Sequence, residues 1–224
     1  MTTISSLAFS KIKPNSNVSL GGGSNVFNLA KEIERHTEYK LHLYSPSTLT
    51  IMKCKSVGLF VKTIQEATTI DLAFDGCDSV DYDLNALKSN GGIHYFEKIA
   101  AQKSKEYVLL LPKKRLTPTL SNKIQLCLEV TPDSAGQIIK ICHKMNLQAT
   151  IRKGRAIADL VYTKNGNLLL DIFSSSWAEI DQINQKLINQ NGVVASSYFK
   201  NLVTNLITGN EDEDAVEIKK GDLK

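Results

Sequence analysis

The sequence predicts an α/β fold: a parallel-rich sheet domain followed by a smaller α+β module. Three observations carry this. Apolar strands alternate with helical stretches through the first half, which calls for parallel pairing in a sheet covered on both faces. The second half changes to the order β-α-β-β-α-β, the split βαβ pattern of a ferredoxin-like module. The 224 residues, 42% of them hydrophobic and 22% charged, are enough for a full core.

In chain order, residues 17–20 form a short strand running into Gly21-Gly22-Gly23, and Ser24 is placed to cap a helix to about Arg35. Residues 40–44 alternate as a strand; Ser47 or Thr48 opens a helix toward Val57, with Gly58 at its end. Residues 69–74 are a buried strand, 75–92 a long polar loop, 93–103 a helix and 107–111 an apolar strand. After a boundary near 117–123, strand 124–130, helix 134–145 and strand 147–152 follow. Asn165-Gly166 is a hairpin signal between 156–162 and 168–172. A helix over 177–190 precedes a last strand over 193–199, and the polar tail from Gly209 reads as loosely held. The fold class is thus a Rossmann-like sheet domain over 1–122, with a return of 200–224, and a ferredoxin-like domain over 123–199.

The net charge is +4, with both signs interspersed, which argues little about nucleic acid. The runs Lys113-Lys114-Arg115 and Glu211-Asp212-Glu213-Asp214 read first as solvated surface. Cys54, Cys77, Cys127 and Cys142 form no CxxC pair, so a zinc site and a disulfide framework are not expected. The longest apolar runs fall short of the roughly 18 residues that a membrane helix needs. The start MTTISSLAFSKIK lacks the pattern of a secretory signal, so a cytoplasmic protein is expected.

Three places follow the C-terminal ends of strands, the edge where open α/β sheets bind ligands. The first is Gly21-Gly22-Gly23-Ser24-Asn25, whose glycines and helix N-terminus suit an anion, although a tight βα turn needs the same residues. It is a poor dinucleotide fingerprint, because Val26 stands where a third glycine belongs. The second is Asp75-Gly76-Cys77-Asp78-Ser79-Val80-Asp81, whose carboxylates alone read as turn formers and do not match a calcium loop. The third is Lys88-Ser89-Asn90-Gly91-Gly92, followed by a helix start with His94 and Glu97. Glu97 alone is as readily a surface charge, and His94 a cap or surface residue.

Together these stretches resemble the type A ribose-5-phosphate isomerases, whose pattern runs GTGST, DGADExD, then KGGGGAL-x-x-EK. The stretches TKNGNLLLDIF over 163–173 and NGVVASSYF over 191–199 resemble the family's TDNGN-x-ILDV and PGVV-x-x-GLF. Five weak motifs in order make one specific signal. The resemblance implies an aldose–ketose isomerase that acts through an enediolate, with no metal or organic cofactor. It implies that Glu97 moves the proton and Lys88 faces the developing oxyanion. Asp75 and Asp78 would hold sugar hydroxyls and assist ring opening. It assigns substrate contacts to Gly22, Gly23, Ser24, Asn25, Gly91, Gly92 and Arg115, and implies a homodimer or homotetramer with no nucleic-acid or membrane partner.

The departures fall mainly on the expected phosphate side. Gly22 and Asn25 replace two threonines, Arg115 stands for a lysine, and an early lysine has no counterpart. Ser89 and Asn90 replace two glycines, and Cys77 replaces an alanine as a small buried filler. The other reading is a non-catalytic sugar-phosphate sensor of the same superfamily, which would have no need of Glu97.

Overall fold

The computed structural model describes residues 1–156, 158–210 and 213–223. In chain order it contains α1 (Ile4–Ser10), β1 (Asn17–Leu20), α2 (Ser24–Glu34), β2 (His42–Ser45), α3 (Thr48–Ser56), β3 (Val61–Thr63) and β4 (Ile70–Asp75). These are followed by β5 (Ser79–Val80), β6 (Ala86–Leu87), α4 (His94–Lys103), β7 (Ser104–Pro112), β8 (Leu126–Val130), α5 (Ala135–Lys144) and β9 (Gln148–Ile151). Then come β10 (Leu168–Phe173), α6 (Ile180–Ile188), β11 (Val193–Ser196), β12 (Tyr198–Phe199), β13 (Asn205–Gly209) and β14 (Val216–Lys219).

The large sheet has the order β14-β13-β7-β4-β1-β2-β3, parallel except for the edge strand β14. The chain leaves β1 toward one edge and, from β4, builds toward the other. The crevice between β1 and β4 is therefore the topological switch point, where ligands of such sheets bind. Val18, Leu20, Leu72, Phe74, Val108 and Leu110 pack under α1 and α2 on one face. Ile70, Ala73, Tyr107 and Leu109 pack against Phe96 and Ala100 of α4 on the other. Both faces are buried, which is why these strands read as nearly continuous apolar runs.

The second sheet, β11-β8-β10-β9, is antiparallel throughout, the order and sense of a ferredoxin-like module. Its inner face, with Leu126, Leu128, Leu170 and Ile172, packs against Ile138 of α5 and Leu187 of α6.

Several expectations from sequence need correction. The stretch 75–92 is not a plain loop: β5 and β6 form a short hairpin that β12 extends into a three-stranded sheet. The strand expected over 193–199 breaks at Ser197 and serves both smaller sheets. Ser197 donates to Cys127 O at 2.8 Å and accepts from Lys88 N at 3.0 Å, fastening one sheet to the other. In place of the strand expected over 156–162, its described residues make isolated bridges, Leu160 with Lys153 and Tyr162 with Leu168; Ile157 lies outside the described residues. The Asn165-Gly166 turn is present, with Gly166 at φ +77°. Its Thr163 and Asn167 side chains donate to buried Glu129 at 3.0 and 2.8 Å, anchoring the turn to β8. Strand β2 starts two residues later than expected, because Lys40 is left-handed at φ +49°. The tail is not loose over 216–219, where β14 pairs with β13 and Glu217 bonds Lys11 at 2.7 Å. Of the expected acidic run, Glu211 and Asp212 lie outside the described residues, as does the tail residue Lys224. The helix α1, capped reciprocally by Thr3 and Ser6, was not expected.

Candidate active site

Strands β1 and β4 end side by side, and the next residue of each begins the site. Gly21 N donates to Phe74 O at 2.8 Å, and Gly22 N donates to Asp75 Oδ1 at 2.9 Å. Gly76 N adds a second backbone donor to the same oxygen at 2.8 Å. Gly21 has no room for a side chain, because a Cβ there would overlap the Asp75 carboxylate. The first glycine of the motif is thus fixed by the aspartate of the second.

Lys88 reaches the same point from β6. Its Nζ lies 3.1 Å from Asp75 Oδ1 and 3.3 Å from Glu97 Oε1, and donates to Gly76 O. Glu97 stands one turn into α4, on the face that also buries Phe96 and Ala100. Asp75, Lys88 and Glu97 are 2%, 5% and 6% exposed, so Glu97 is not a surface charge. Tyr107 on β7, missed in the sequence, donates its hydroxyl to Asp75 Oδ2 at 3.0 Å.

Burial sets the electrostatics. It would by itself lower the Lys88 pKa, but the Asp75 and Glu97 carboxylates outweigh it and hold the ammonium above its ordinary value. Burial pushes the Glu97 carboxyl up, Asp75 adds to this, and Lys88 opposes it. The arrangement holds a fixed ammonium beside a carboxylate of raised basicity, in a place largely shut from water.

Asp78 lines the cavity over this cluster and is also tied to the loop after β6. Its Oδ2 accepts from Ser89 N and Asn90 N at 2.7 and 2.9 Å, and its Oδ1 from Asn90 Nδ2 at 2.9 Å. Asp75 likewise spends most of its acceptor capacity on protein donors. Cys77 is 4% exposed, and burial pushes its thiol up to about 12, which leaves it unreactive. His94 is fully buried, not a cap or surface residue; burial pushes its pKa down to about 3, so the ring is neutral.

The cavity over this cluster, about 430 Å³, is lined by Gly22, Gly23, Asp75, Asp78, Lys88, Gly91, Glu97 and Arg115 among others. A neighbouring cavity of about 560 Å³ shares Gly22, Gly23 and Arg115 and adds Ser24 and Asn25. Gly23, at φ +104°, is the residue before α2, and its carbonyl accepts from Phe27 N. Ser24 is therefore the first helical residue rather than the cap. No side chain caps α2, which leaves its first amides facing this space. Asn25 Nδ2 is turned to Leu110 O at 3.4 Å. Arg115 donates to Cys77 O at 2.6 Å. Gly92 lies apart from this lining, at φ +67° against Leu169 of β10. Among the described residues, no three His, Cys, Asp or Glu side chains form a metal-binding group. No helix among them is long and apolar enough to cross a membrane.

The family model for ribose 5-phosphate isomerase A (phosphoriboisomerase A) matches residues 43–213. The chain belongs to that family. The ribose-5-phosphate isomerase A of Listeria monocytogenes serovar 1/2a is 28% identical over 211 residues, 93% of each chain. That of Methanococcus maripaludis strain C6 is 31% identical over 81% of this chain and 77% of its own. The solved structure of ribose 5-phosphate isomerase A from Methanocaldococcus jannaschii superposes with a TM-score of 0.86 at 26% identity, covering 97% of this chain and 96% of that one. These relatives place the chain in an isomerase family, and the solved structure shares its fold.

Proposed function

We propose that the protein interconverts ribose 5-phosphate and ribulose 5-phosphate by proton transfer through an enediolate. The observation that carries this is the buried Lys88 ammonium between Asp75 and Glu97 at the switch point of the sheet. Glu97, made more basic by burial, takes the proton from the carbon beside the carbonyl and returns it to the neighbouring carbon. Negative charge then builds on the carbonyl oxygen, where Lys88, already oriented, stabilises it without reorganisation. The hydroxyl proton on the neighbouring carbon's oxygen passes to that charged oxygen as the new carbonyl forms. Asp75, held by two backbone amides and Tyr107, keeps Lys88 ionised and aimed. Asp78 shapes the loop that carries Gly91 and Gly92. The free amides at the start of α2, with Ser24 and Arg115, supply the donors that suit a phosphate. Gly22, Gly23 and Asn25 line the same space.

A sensor that only binds sugar phosphate is not favoured, since binding alone needs no buried carboxylate beside Lys88. A coupled isomerase assay on the purified protein, in excess chelator and without added cofactor, tests the reading. Turnover is expected; activity lost to chelator and restored by a divalent ion would overturn the cofactor-free mechanism. A cytoplasmic homodimer or homotetramer is part of the same proposal, with the oligomer to be read by sedimentation. So is the division into 1–122 with 200–224 and 123–199; it is supported by the large sheet and the β11-β8-β10-β9 sheet sharing no strand.

A further inference from the structure

The loop over residues 88–92 carries Lys88, yet its geometry is fixed largely from the second sheet. Arg152, just beyond β9, forms a two-point ion pair with Asp171 of β10: Nε to Oδ2 at 2.8 Å and Nη2 to Oδ1 at 2.5 Å. The two side chains are only 15% and 12% exposed. The remaining guanidinium donors face the loop. Nη2 donates to Ser89 O at 2.8 Å and Nη1 to Asn90 O at 3.1 Å. On the opposite side, the amides of these same two residues both donate to Asp78 Oδ2. The N–H and C=O of Ser89 and Asn90 are thus held between a carboxylate and a guanidinium. The peptide that joins Ser89 to Asn90 is held at both ends, its C=O by the guanidinium and its N–H by the carboxylate, and the peptides before and after it are each held at one end. The Asn90 side chain closes the frame. It donates to Asp78 Oδ1 at 2.9 Å and accepts from Gln125 Nε2 of the strand approach at 3.1 Å. Ser89 Oγ adds a bond to Gln125 O at 2.5 Å. None of these second-sheet groups touches Asp75 or Glu97.

We propose that Arg152, oriented by Asp171, is a positioning residue that latches the 88–92 loop from the second sheet, with Asn90 completing the latch on Asp78. The consequence is directional. Lys88 is the loop's first residue, and its ammonium must stay within hydrogen-bond reach of two carboxylates. Loosening the loop should harm the transition state, where the ammonium meets new charge, more than ground-state binding. Lysine cannot replace Arg152, because one ammonium cannot serve Asp171 in two-point fashion and two carbonyls together.

The test compares Arg152→Lys, Asn90→Gly and Lys153→Ala with the wild type. It reads kcat and KM for ribose 5-phosphate, thermal midpoint, and amide hydrogen exchange over residues 88–92. Arg152→Lys is expected to lower kcat about 10- to 100-fold with KM within about threefold, and to speed exchange of the Ser89 and Asn90 amides. Asn90→Gly, on an exposed residue, should lower kcat several-fold and speed the same amides, with the thermal midpoint reporting that the fold is kept. Exposed Lys153, beside the latch but outside it, should leave all four readouts unchanged. Unaltered exchange and kcat in Arg152→Lys would overturn the latch, as would an equal loss in Lys153→Ala, which would mean a general field of cations. The inference rests on the isomerase reading, but exchange is read without turnover. A wild type inactive on ribose 5-phosphate with protected loop amides would overturn the isomerase reading and spare the latch.

Discussion

The Tyr107 hydroxyl donates to Asp75 Oδ2 at 3.0 Å across adjacent parallel strands, filling the one side of the carboxylate that the backbone amides leave open. Both residues are nearly inaccessible, at 1% and 2% exposure, and the Tyr107 pKa is raised well above its ordinary value, first by burial and then by Asp75. The phenol therefore stays a donor at any pH the enzyme meets. Its partner is the carboxylate paired with Lys88, so a strand residue in the core is tied to the Lys88 ammonium through one intermediary.

Tyr107→Phe should accordingly lower stability by about 1.5–3 kcal/mol, the loss of a hydrogen bond to a charged group. It should also lower kcat while leaving KM within a few-fold, because the aim of Lys88 matters most when charge develops. Denaturant melts and steady-state kinetics on the same preparation check both. A variant with wild-type kcat would show that Asp75 needs no help to orient Lys88.

Glu97→Gln should keep the fold and substrate binding and lower kcat by about 10²–10⁴, the range of a positioned general base. The raised pKa has two further consequences. A base must be deprotonated to act, so the acid limb of kcat/KM should lie above the ordinary carboxylate value of 4.5. A group whose proton is held more tightly in the folded state contributes stability that is full below its unfolded pKa and is lost as pH rises through the folded one. The wild type should thus lose stability relative to Glu97→Gln as pH climbs from about 4.5 toward the alkaline side. A stability difference that stays flat with pH would mean that burial does not perturb Glu97.

What the sequence revealed and concealed follows from whether a relationship is local. Asp75, Lys88 and Glu97 were legible only through the order of short motifs that resembles a known family. Taken alone, Asp75 reads as a turn former and Glu97 as a surface charge, because what brings them together is the convergence of distant segments at one sheet edge. Tyr107 was not legible, since its tie to Asp75 is a fact of register between β4 and β7. Inside an apolar run it reads only as core. Arg152 and Glu129 were hidden likewise, because their partners lie across a sheet contact or on a distant turn. The hairpin β5–β6 escaped because two-residue strands carry no periodicity, and Leu84 makes its turn at φ +61° without a glycine. The edge strand β14 was masked by its polarity, which suits an edge with one side in water.

Gly21→Ala and Gly22→Ala should separate sharply, although the residues are adjacent and both belong to the same motif. A Cβ on Gly21 would fall within the Asp75 carboxylate, whereas one on Gly22 meets nothing within 4 Å. Neither residue has the positive φ that would strain alanine. Gly21→Ala must displace Asp75 from its donors, leaving Lys88 with a disrupted partner; breaking a buried pair costs about 3–5 kcal/mol. Gly22→Ala keeps its amide on Asp75 and should melt within a degree or two of the wild type. Thermal melts of the two decide it, and equal losses would show that the turn, rather than the carboxylate, demands the glycine.

Arg115, Lys113 and Lys114 are consecutive cations, but the structure gives them unequal surroundings. Lys113 faces Glu213 at 3.5 Å on the surface, and Lys114 lines only the outer cavity. Arg115 lines both cavities and is steadied by its bond to Cys77 O, which leaves other guanidinium donors for an anion. A guanidinium can engage two phosphate oxygens at once, so it can serve where the family pattern has lysine. One such hydrogen bond is worth about 1.5–3 kcal/mol, or roughly 10- to 150-fold in affinity. Arg115→Ala should therefore raise KM for ribose 5-phosphate by about that factor with kcat within a few-fold, because the phosphate takes no part in the reaction. Lys114→Ala should have a smaller effect on KM, and Lys113→Ala almost none, since an exposed ion pair contributes about 1 kcal/mol at most and none of it to the site. Steady-state kinetics on the three alanine variants, run at low and high salt, separate the cases. Equal, small and salt-sensitive changes at all three positions would mean that only the summed positive charge matters, and would remove Arg115 from the phosphate site.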